Sequence, residues 1–518
     1  VQLVSSARIV DELRGLASMD SDEPIVLWDP SRGSVPLAAV DAFVAAGDDV
    51  WVPQSHAELD RDDLFQFVEP LHIYRRIPDP VDGAVNWRLF PDATFLRAGA
   101  LRQLGGPELG FSSVMGALRE MGYRWLRRGA VMRQRIELGA QPHVSVPMAD
   151  RYRMLLCHYS AKWARYACAR RIARGAPLRS ELAALHAALA SVEGVARVAS
   201  GAVSRSLETV VLAPHPHVTV VLPTFGRYRY VAEVLEDLRA QTIPVSEILV
   251  ADGNTGIDRQ PGAYEPFSDL PLEVLWVPEP GTCVSRNACL ARASGDYIWF
   301  VDDDSRLAPD NLEQHLRVLG AYGADVSVGP AYTRERPTLH VDQQEVRCTF
   351  MDCGTTLVRR EMLERVGGFD MQFNDRLAGE DGELGIRFVR AGGLVVSNPF
   401  AKRFHYLAPV GGARASTNNV HRWVRWTLRP RPVQSIYYTG ARHFDEASTR
   451  EAVFQTWVLA GWKRADGVTA TARWKMKTFA AEVAALPVSL IRLVRSVSIA
   501  REMARQGPQI PAFPATKP

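Results

Sequence analysis

Short apolar runs that stop abruptly at polar residues recur through the middle of the chain. Val218 to Leu222 closes on Pro223, Thr224, Phe225, Gly226 and Arg227. Ile248 to Ala251 closes on Asp252, and Leu272 to Val277 forms a third run. Tyr297 to Val301 ends in Asp302, Asp303 and Asp304. Runs of this length, bounded by turn-forming residues, read as buried strands. Between them the spacing turns helical. Val231, Val234, Leu235 and Leu238 share one face, and a helix is predicted from Gly281 to Ala293. Strands alternating with helices predict a mostly parallel α/β sheet. Such sheets bind ligands at the C-terminal ends of their strands, where these polar residues fall.

Outside this region the pattern is different. Tyr152 to Arg174 and Leu178 to Ala199 are rich in Ala, Leu and Arg at helical spacing. The chain from 418 also reads as helical, with Trp423 and Trp426 in its first turns. Aromatic residues three apart suit a core better than a sugar platform. Further on, Leu490, Ile491, Leu493, Val494, Val497 and Ile499 lie among Arg492, Arg495 and Arg501. That stretch reads either as an interfacial amphipathic helix or as a helix docked on its own protein. His215 and His217, spaced by two between prolines, read as linker rather than as metal ligands.

The N-terminal part repeats a later one. Thr94 to Gly106 lies over Thr356 to Gly368 without a gap, and Pro24 to Arg32 over Ile298 to Arg306. In this alignment Trp28 and Pro30 stand where Asp302 and Asp304 stand, and Gly110-Phe-Ser-Ser replaces Glu380-Asp381. The counterpart of the Pro223 loop would fall before Val1. The N-terminal part is therefore expected to be a truncated copy that has lost its polar residues. It would be covered by the helical segment, the later domain or a second subunit.

With 518 residues, two or three domains are expected. The net charge of +3 hides an asymmetry, because residues 401–518 hold nineteen Lys/Arg against six Asp/Glu. This basic end suggests an anionic partner, either a phospholipid surface or an anionic glycan or lipid-diphosphate acceptor; a solvated helical face is the plainer reading. No nucleic-acid motif accompanies the charge. The six cysteines lack metal-ligand spacing and suit reduced thiols. No window of about 18 apolar residues and no leader-like start is seen. The expected location is cytoplasmic, with peripheral association at the inner face of the membrane as an extension.

Three adjacent carboxylates repel one another unless a cation or solvent screens them. Hard oxygen ligands at a strand end suit Mg²⁺ or Mn²⁺ bridging to a phosphate. Together with Gly379-Glu-Asp-Gly and Phe404-His-Tyr, these motifs give residues 215 to 410 a close resemblance to the family 2 glycosyltransferases, of GT-A fold. Pro223 to Arg227, including Thr224, resembles their first nucleotide loop, and Asp252 the acid that reads the base. Arg286 and Asn287 resemble the Arg-Asn pair near the diphosphate. Asp302, Asp303 and Asp304 resemble the metal-binding Asp-X-Asp, and His405 the late histidine of the metal or pyrophosphate site. Glu380-Asp381, with Leu384 and Arg387 beyond, resembles the helix that carries the catalytic base, here Asp381. Asp352 and Gly354, with Glu380, would border the sugar or acceptor.

The resemblance implies a metal-dependent, inverting transfer from a nucleotide-diphosphate sugar, UDP- or GDP-linked, to a glycan or lipid-linked acceptor, as in cell-envelope polysaccharide synthesis. A hydrolase using two carboxylates explains neither the Asp triplet nor the phosphate-side loops. A sugar-nucleotide nucleotidyltransferase would need a Gly-rich triphosphate loop, and a non-catalytic carbohydrate-binding scaffold would not need the carboxylates. The expected division is a degenerate GT-A-like part (1–149), a helical linker (150–214), the catalytic domain (215–412) and a helical, basic extension (413–518).

Overall fold

The computed structural model describes residues 2–4, 8–55, 64–140, 145–192, 198, 201–279, 281–334, 346–374, 379–409, 411–412, 433–459, 480–481 and 483–514. Trp423 and Trp426, expected in a core, and the start of the helix around them lie outside these residues.

An N-terminal unit runs through β1 (Gln2–Val4), α1 (Ile9–Leu16), β2 (Ile25–Trp28), α2 (Leu37–Ala46), β3 (Val50–Gln54), β4 (Ala93–Leu96), α3 (Ala98–Leu104), α4 (Val114–Arg127) and β5 (Met132–Ala140). Its sheet order is β1-β2-β4-β3-β5. Three helices follow: α5 (Met148–His158), α6 (Ala161–Ala173) and α7 (Leu178–Val192). The single helix expected from Tyr152 to Arg174 is thus two. Tyr159 is extended between them (φ −131°, ψ −156°), and its hydroxyl pairs with that of Tyr123 at 2.9 Å.

The second unit runs through β6 (Val218–Thr224), α8 (Tyr228–Arg239), β7 (Glu247–Asp252), β8 (Leu272–Trp276), α9 (Thr282–Leu290), β9 (Tyr297–Val301), β10 (Ser305–Leu307), α10 (Asn311–Tyr322), β11 (Val326–Val328), β12 (Ala331–Tyr332), β13 (Arg347–Cys348), β14 (Thr355–Arg359), α11 (Arg360–Val366), α12 (Glu380–Arg390), β15 (Val395–Ser397) and β16 (Arg403–His405). The main sheet has the order β13-β15-β11-β14-β9-β6-β7-β8. Neighbours β9, β6, β7 and β8 are all parallel, and β9, β6 and β7 are buried on both faces, as continuous apolar runs should be, while β8 is the half-buried edge. A small sheet, β10-β16-β12, stands beside it. The chain ends in α13 (Gln434–His443), α14 (Glu446–Leu459) and α15 (Leu486–Gln506). One hydrophobic core runs through both units.

The units repeat each other, but not in the register read from the sequence. Leu27 lies opposite Thr94 as Phe300 lies opposite Thr356. The Asp29 amide donates to the Asp92 carbonyl as the Asp302 amide donates to that of Gly354, both at 3.1 Å. Asp29, not Trp28, therefore stands at the place of Asp302, with Pro30 and Ser31 at Asp303 and Asp304. A match between two apolar runs fixes their character, not their pairing register. Arg124 donates to Glu120 and to the carbonyls of Leu104 and Gly106, as Arg387 donates to Glu383 and to those of Val366 and Gly368. This sets Ala117 and Leu118, not Gly110-Phe-Ser-Ser, at the place of Glu380 and Asp381. β1 lies beside β2 as β6 lies beside β9, and α1 follows after a few residues. The missing α8, β7 and β8 are thus cut from within the copy, not from before it.

The repeat also continues further than its sequence suggests. His158 lies 3.4 Å from Glu120 as His443 lies 3.0 Å from Glu383. The helices after each sheet are therefore one part of the repeated unit, seen twice. Eight residues beyond each histidine stand Tyr166 and Glu451. They meet each other, with Arg170 and Arg174 on the same Glu451 carboxylate.

Trp28 keeps a structural task. It is 9% exposed, packs 6.4 Å from Phe95 between ring centres, and donates its indole N–H to the Gly33 carbonyl at 2.9 Å. Trp28→Ala is expected to cost about 3–5 kcal/mol of stability without altering any metal dependence. Urea denaturation of the variant checks this, and an unchanged midpoint would contradict it.

Candidate active site

The site forms where β9 ends. Beyond Val301, paired with Thr355 of β14, the chain turns away from the sheet and exposes three successive carboxylates to three different surroundings. Asp303 is buried; it accepts from the Thr224 hydroxyl at 2.9 Å and from Arg227 at 2.6 Å. Asp304 accepts from the Ala408 amide at 2.9 Å and lies 3.2 Å from His405 Nε2 and 3.4 Å from Arg227. Asp302 faces Arg403 at 2.8 Å and Arg286 at 3.4 Å. The triplet thus lies among arginines, and three adjacent carboxylates do not by themselves demand a metal here.

β16 supplies His405 by pairing antiparallel with β10, His405 opposite Ser305. Leu407 then adopts φ 53°, a left-handed conformation uncommon for a leucine. The turn lets the Tyr406 amide reach the Asp304 carbonyl and the Ala408 amide reach its carboxylate, both at 2.9 Å. One oxygen each from Asp302 and Asp304 and a ring nitrogen of His405 lie within 4.8 Å of one another. Among the described residues this is the one group of three such donors, and His215 and His217 belong to none. Two oxygens and an imidazole suit Mn²⁺ or Mg²⁺.

The opposite wall is α12. Gly379, at φ 138°, turns the chain into the helix, so Glu380 and Asp381 occupy its first turn, where the helix dipole favours negative charge. Asp381 accepts from Arg286 at 2.5 Å and from the Cys353 amide at 3.1 Å. Arg286 also lies 3.6 Å from Glu380. It therefore ties the α12 carboxylates to Asp302. Asp352 holds Arg403 at 3.2 Å and the Gly354 amide at 2.8 Å. A Cβ on Gly354 would overlap the Arg403 guanidinium, which explains the glycine.

The remaining sequence-derived candidates are engaged otherwise. Asn287 bonds the Phe369 amide and carbonyl, both at 2.8 Å, and so anchors a loop. Asp252 is buried, with one oxygen taking the Asn254 amide and side chain and the other the Tyr264 hydroxyl, each at 2.8 Å. Pro223 pairs within β6 opposite Ala251. Beyond β16 the chain is described through Pro409 and again at Gly411 and Gly412. Gly412 donates its amide to the Phe225 carbonyl at 2.8 Å, beside Arg227. Sequence reasoning missed Arg403. Its signal was its place two residues before His405 on one strand, which puts both side chains on the same face.

Electrostatics separate the carboxylates. Burial alone would raise Asp302, but Arg403, Arg286 and His405 outweigh it and hold it below the usual range. Burial likewise works against the charge on Asp304, yet His405 and Arg227 bring it down to about 2. Asp303 is pushed up to about 6 by burial and by Asp304, against the pull of Arg227. Burial and the neighbouring Asp381 raise Glu380 to about 7. A carboxyl raised in the folded state stabilises the fold below its ordinary value of 4.5, and that contribution is lost as pH rises toward about 7. Glu380→Gln is therefore expected to flatten a fall in stability across that window. Denaturant titrations at several pH values check this, and parallel curves for both proteins would contradict it.

With this geometry established, the chain can be set against known proteins. Residues 219–374 match the family model described as Glycosyl transferase family 2. The chain is 30% identical over 119 residues to "Glycosyltransferase GlyA" of Streptococcus pneumoniae serotype 4, a match covering 22% of this chain and 17% of that protein. It is 29% identical over 131 residues to "Succinoglycan biosynthesis protein ExoM" of Rhizobium meliloti, covering 24% and 41% respectively. The match thus spans less than half of either relative. Among solved structures, the mannosyltransferase PcManGT of Pyrobaculum calidifontis, in complex with GDP-Man and Mn²⁺, is similar at a TM-score of 0.39 and 17% identity, over 58% of this chain and 90% of that one.

Proposed function

We propose that the chain, whose residues 219–374 match the family 2 glycosyltransferase model, is a metal-dependent, inverting transferase of GT-A fold acting on a nucleotide-diphosphate sugar. The observation that carries this reading is the meeting of Asp302, Asp304 and His405 across from Asp381, at the C-terminal end of β9. Charge supports it. Six carboxylates (Asp302, Asp303, Asp304, Asp352, Glu380 and Asp381) face three guanidiniums (Arg227, Arg286 and Arg403). The carboxylates outnumber the guanidiniums, an excess of negative charge that a divalent cation would reduce.

Asp302, Asp304 and His405 would hold Mn²⁺ or Mg²⁺. When bound, that ion neutralises charge growing on the leaving nucleoside diphosphate. Asp381 accepts the proton of the acceptor hydroxyl. The hydroxyl oxygen forms its bond to the anomeric carbon as the bond from that carbon to the diphosphate oxygen breaks. A single displacement of this kind inverts the anomeric centre. Asp381 makes two hydrogen bonds, and a carboxylate offers about four acceptor positions. It therefore retains room for the acceptor. Arg286 keeps it aligned. Thr224, Arg227 and the Asp252–Asn254 turn border the donor side, and Asp352, Gly354 and Glu380 the acceptor side.

The donor is a UDP- or GDP-linked sugar and the acceptor a glycan or lipid-linked hydroxyl of the cell envelope. Residues 215–412 form the catalytic domain in this reading. The 1–149 copy, with Ser31 for Asp304 and Leu118 for Asp381, binds no nucleotide sugar and serves as a packing partner. A thermal-shift screen of nucleotide sugars with Mn²⁺ tests the proposal, since a ligand that binds the folded state raises its melting temperature. One donor should stabilise the protein in the presence of Mn²⁺ only. Stabilisation by none, or equal stabilisation after chelation, would refute it.

A further inference from the structure

The last helix is built with its faces reversed. Toward the protein α15 turns Ser489, Arg492, Ser496, Ala500 and Met503, all buried. Away from it, Leu486, Leu490, Ile491 and Val494 are between 43% and 68% exposed, with Val483 just upstream at 54%. A helix packed on a soluble core shows the opposite arrangement. Leu486, Leu490 and Val494 recur every four residues and so form one continuous stripe. A single exposed leucine is ordinary, but a contiguous apolar stripe marks a surface that meets something.

Charge identifies what it meets. Arg495 and Arg501 are exposed on the same helix. They belong to the part of the chain with nineteen basic against six acidic residues. Two copies joined through this stripe would bring like charges together, at a cost. A bilayer of anionic lipids takes an apolar stripe and its basic flank without any matching shape.

We propose that α15 lies in the plane of an anionic phospholipid surface, its leucine and valine side chains at the acyl boundary and its arginines among the headgroups. This is independent of the transfer reaction. It does give the reaction a place, because the chain leaving α15 runs onto the loop held by Asn287. Gln509 donates its amide to Asp370, and Pro511 accepts from the Gly368 amide, both at 2.9 Å.

The test is co-sedimentation of the full chain with vesicles of phosphatidylcholine alone or mixed with phosphatidylglycerol. Leu490→Glu/Val494→Glu and Arg501→Glu serve as variants, since their exposed positions leave the fold intact, as an unchanged melting temperature would verify. The wild type should sediment with the anionic vesicles and not with the neutral ones, and added salt should weaken it. The double variant should bind at least about tenfold more weakly, and Arg501→Glu should be weakened on anionic vesicles. Absent binding, equal binding to both vesicle types, or binding unaffected by the double variant would overturn the proposal. So would a wild-type dimer that the double variant splits, which would assign the stripe to a second copy.

Discussion

Asp381→Asn is expected to lower turnover at saturating donor by about 10²- to 10⁴-fold, the usual worth of general-base catalysis. Asparagine keeps the shape of aspartate but has a single accepting oxygen, so it retains the bond from Arg286 or that from the Cys353 amide, and it cannot take a proton. Asp381 lies on α12, on the far side of Arg286 from the triplet. The donor concentration for half-maximal rate should therefore change little. Steady-state kinetics separates the two quantities. A variant that keeps its turnover and instead loses affinity for the donor would assign Asp381 to donor binding.

Asp304→Ala is expected to abolish measurable transfer and the metal-dependent part of nucleoside-diphosphate binding. Asp304 is held down at about 2 by His405 and Arg227, and its carboxylate is the one that meets His405 directly. Its removal leaves two candidate donors and takes from Arg227 one of its two carboxylate partners in the triplet. Calorimetric titration of UDP and GDP with and without Mn²⁺ reads this out. Equal, metal-enhanced binding in the variant and the wild type would count against the assignment.

Much of the catalytic fold is legible in the sequence, because buried parallel strands are written as uninterrupted apolar runs that end in polar residues. β6, β7, β8 and β9 fall where those runs fall. Local patterns could not show convergence. Arg403 is 101 residues from Asp302, yet it is the side chain that balances it. The triplet suggested a missing cation, and the fold supplies three arginines before any ion is considered. The repeat was legible as a likeness, but its register was not, because apolar residues on both faces of a buried strand leave a one-residue slip unpunished in sequence space. Hydrogen bonds from Asp29 and Arg124 fix what similarity alone left ambiguous. Helical periodicity identified the stripe on α15 but not its direction, since periodicity says which residues share a face and nothing of what that face meets. No helix among the described residues is long and apolar enough to cross a membrane.

The central claim is that the carboxylates beyond β9 and at the start of α12 transfer a sugar with the help of a divalent ion. The most direct test measures nucleoside-diphosphate release from a panel of UDP- and GDP-sugars by the wild type, before and after chelation, beside Asp381→Asn. Release from one donor that stops on chelation, returns with Mn²⁺ or Mg²⁺, and falls in the variant is the predicted result. Release that survives chelation undiminished, or that proceeds equally well in Asp381→Asn, would contradict it.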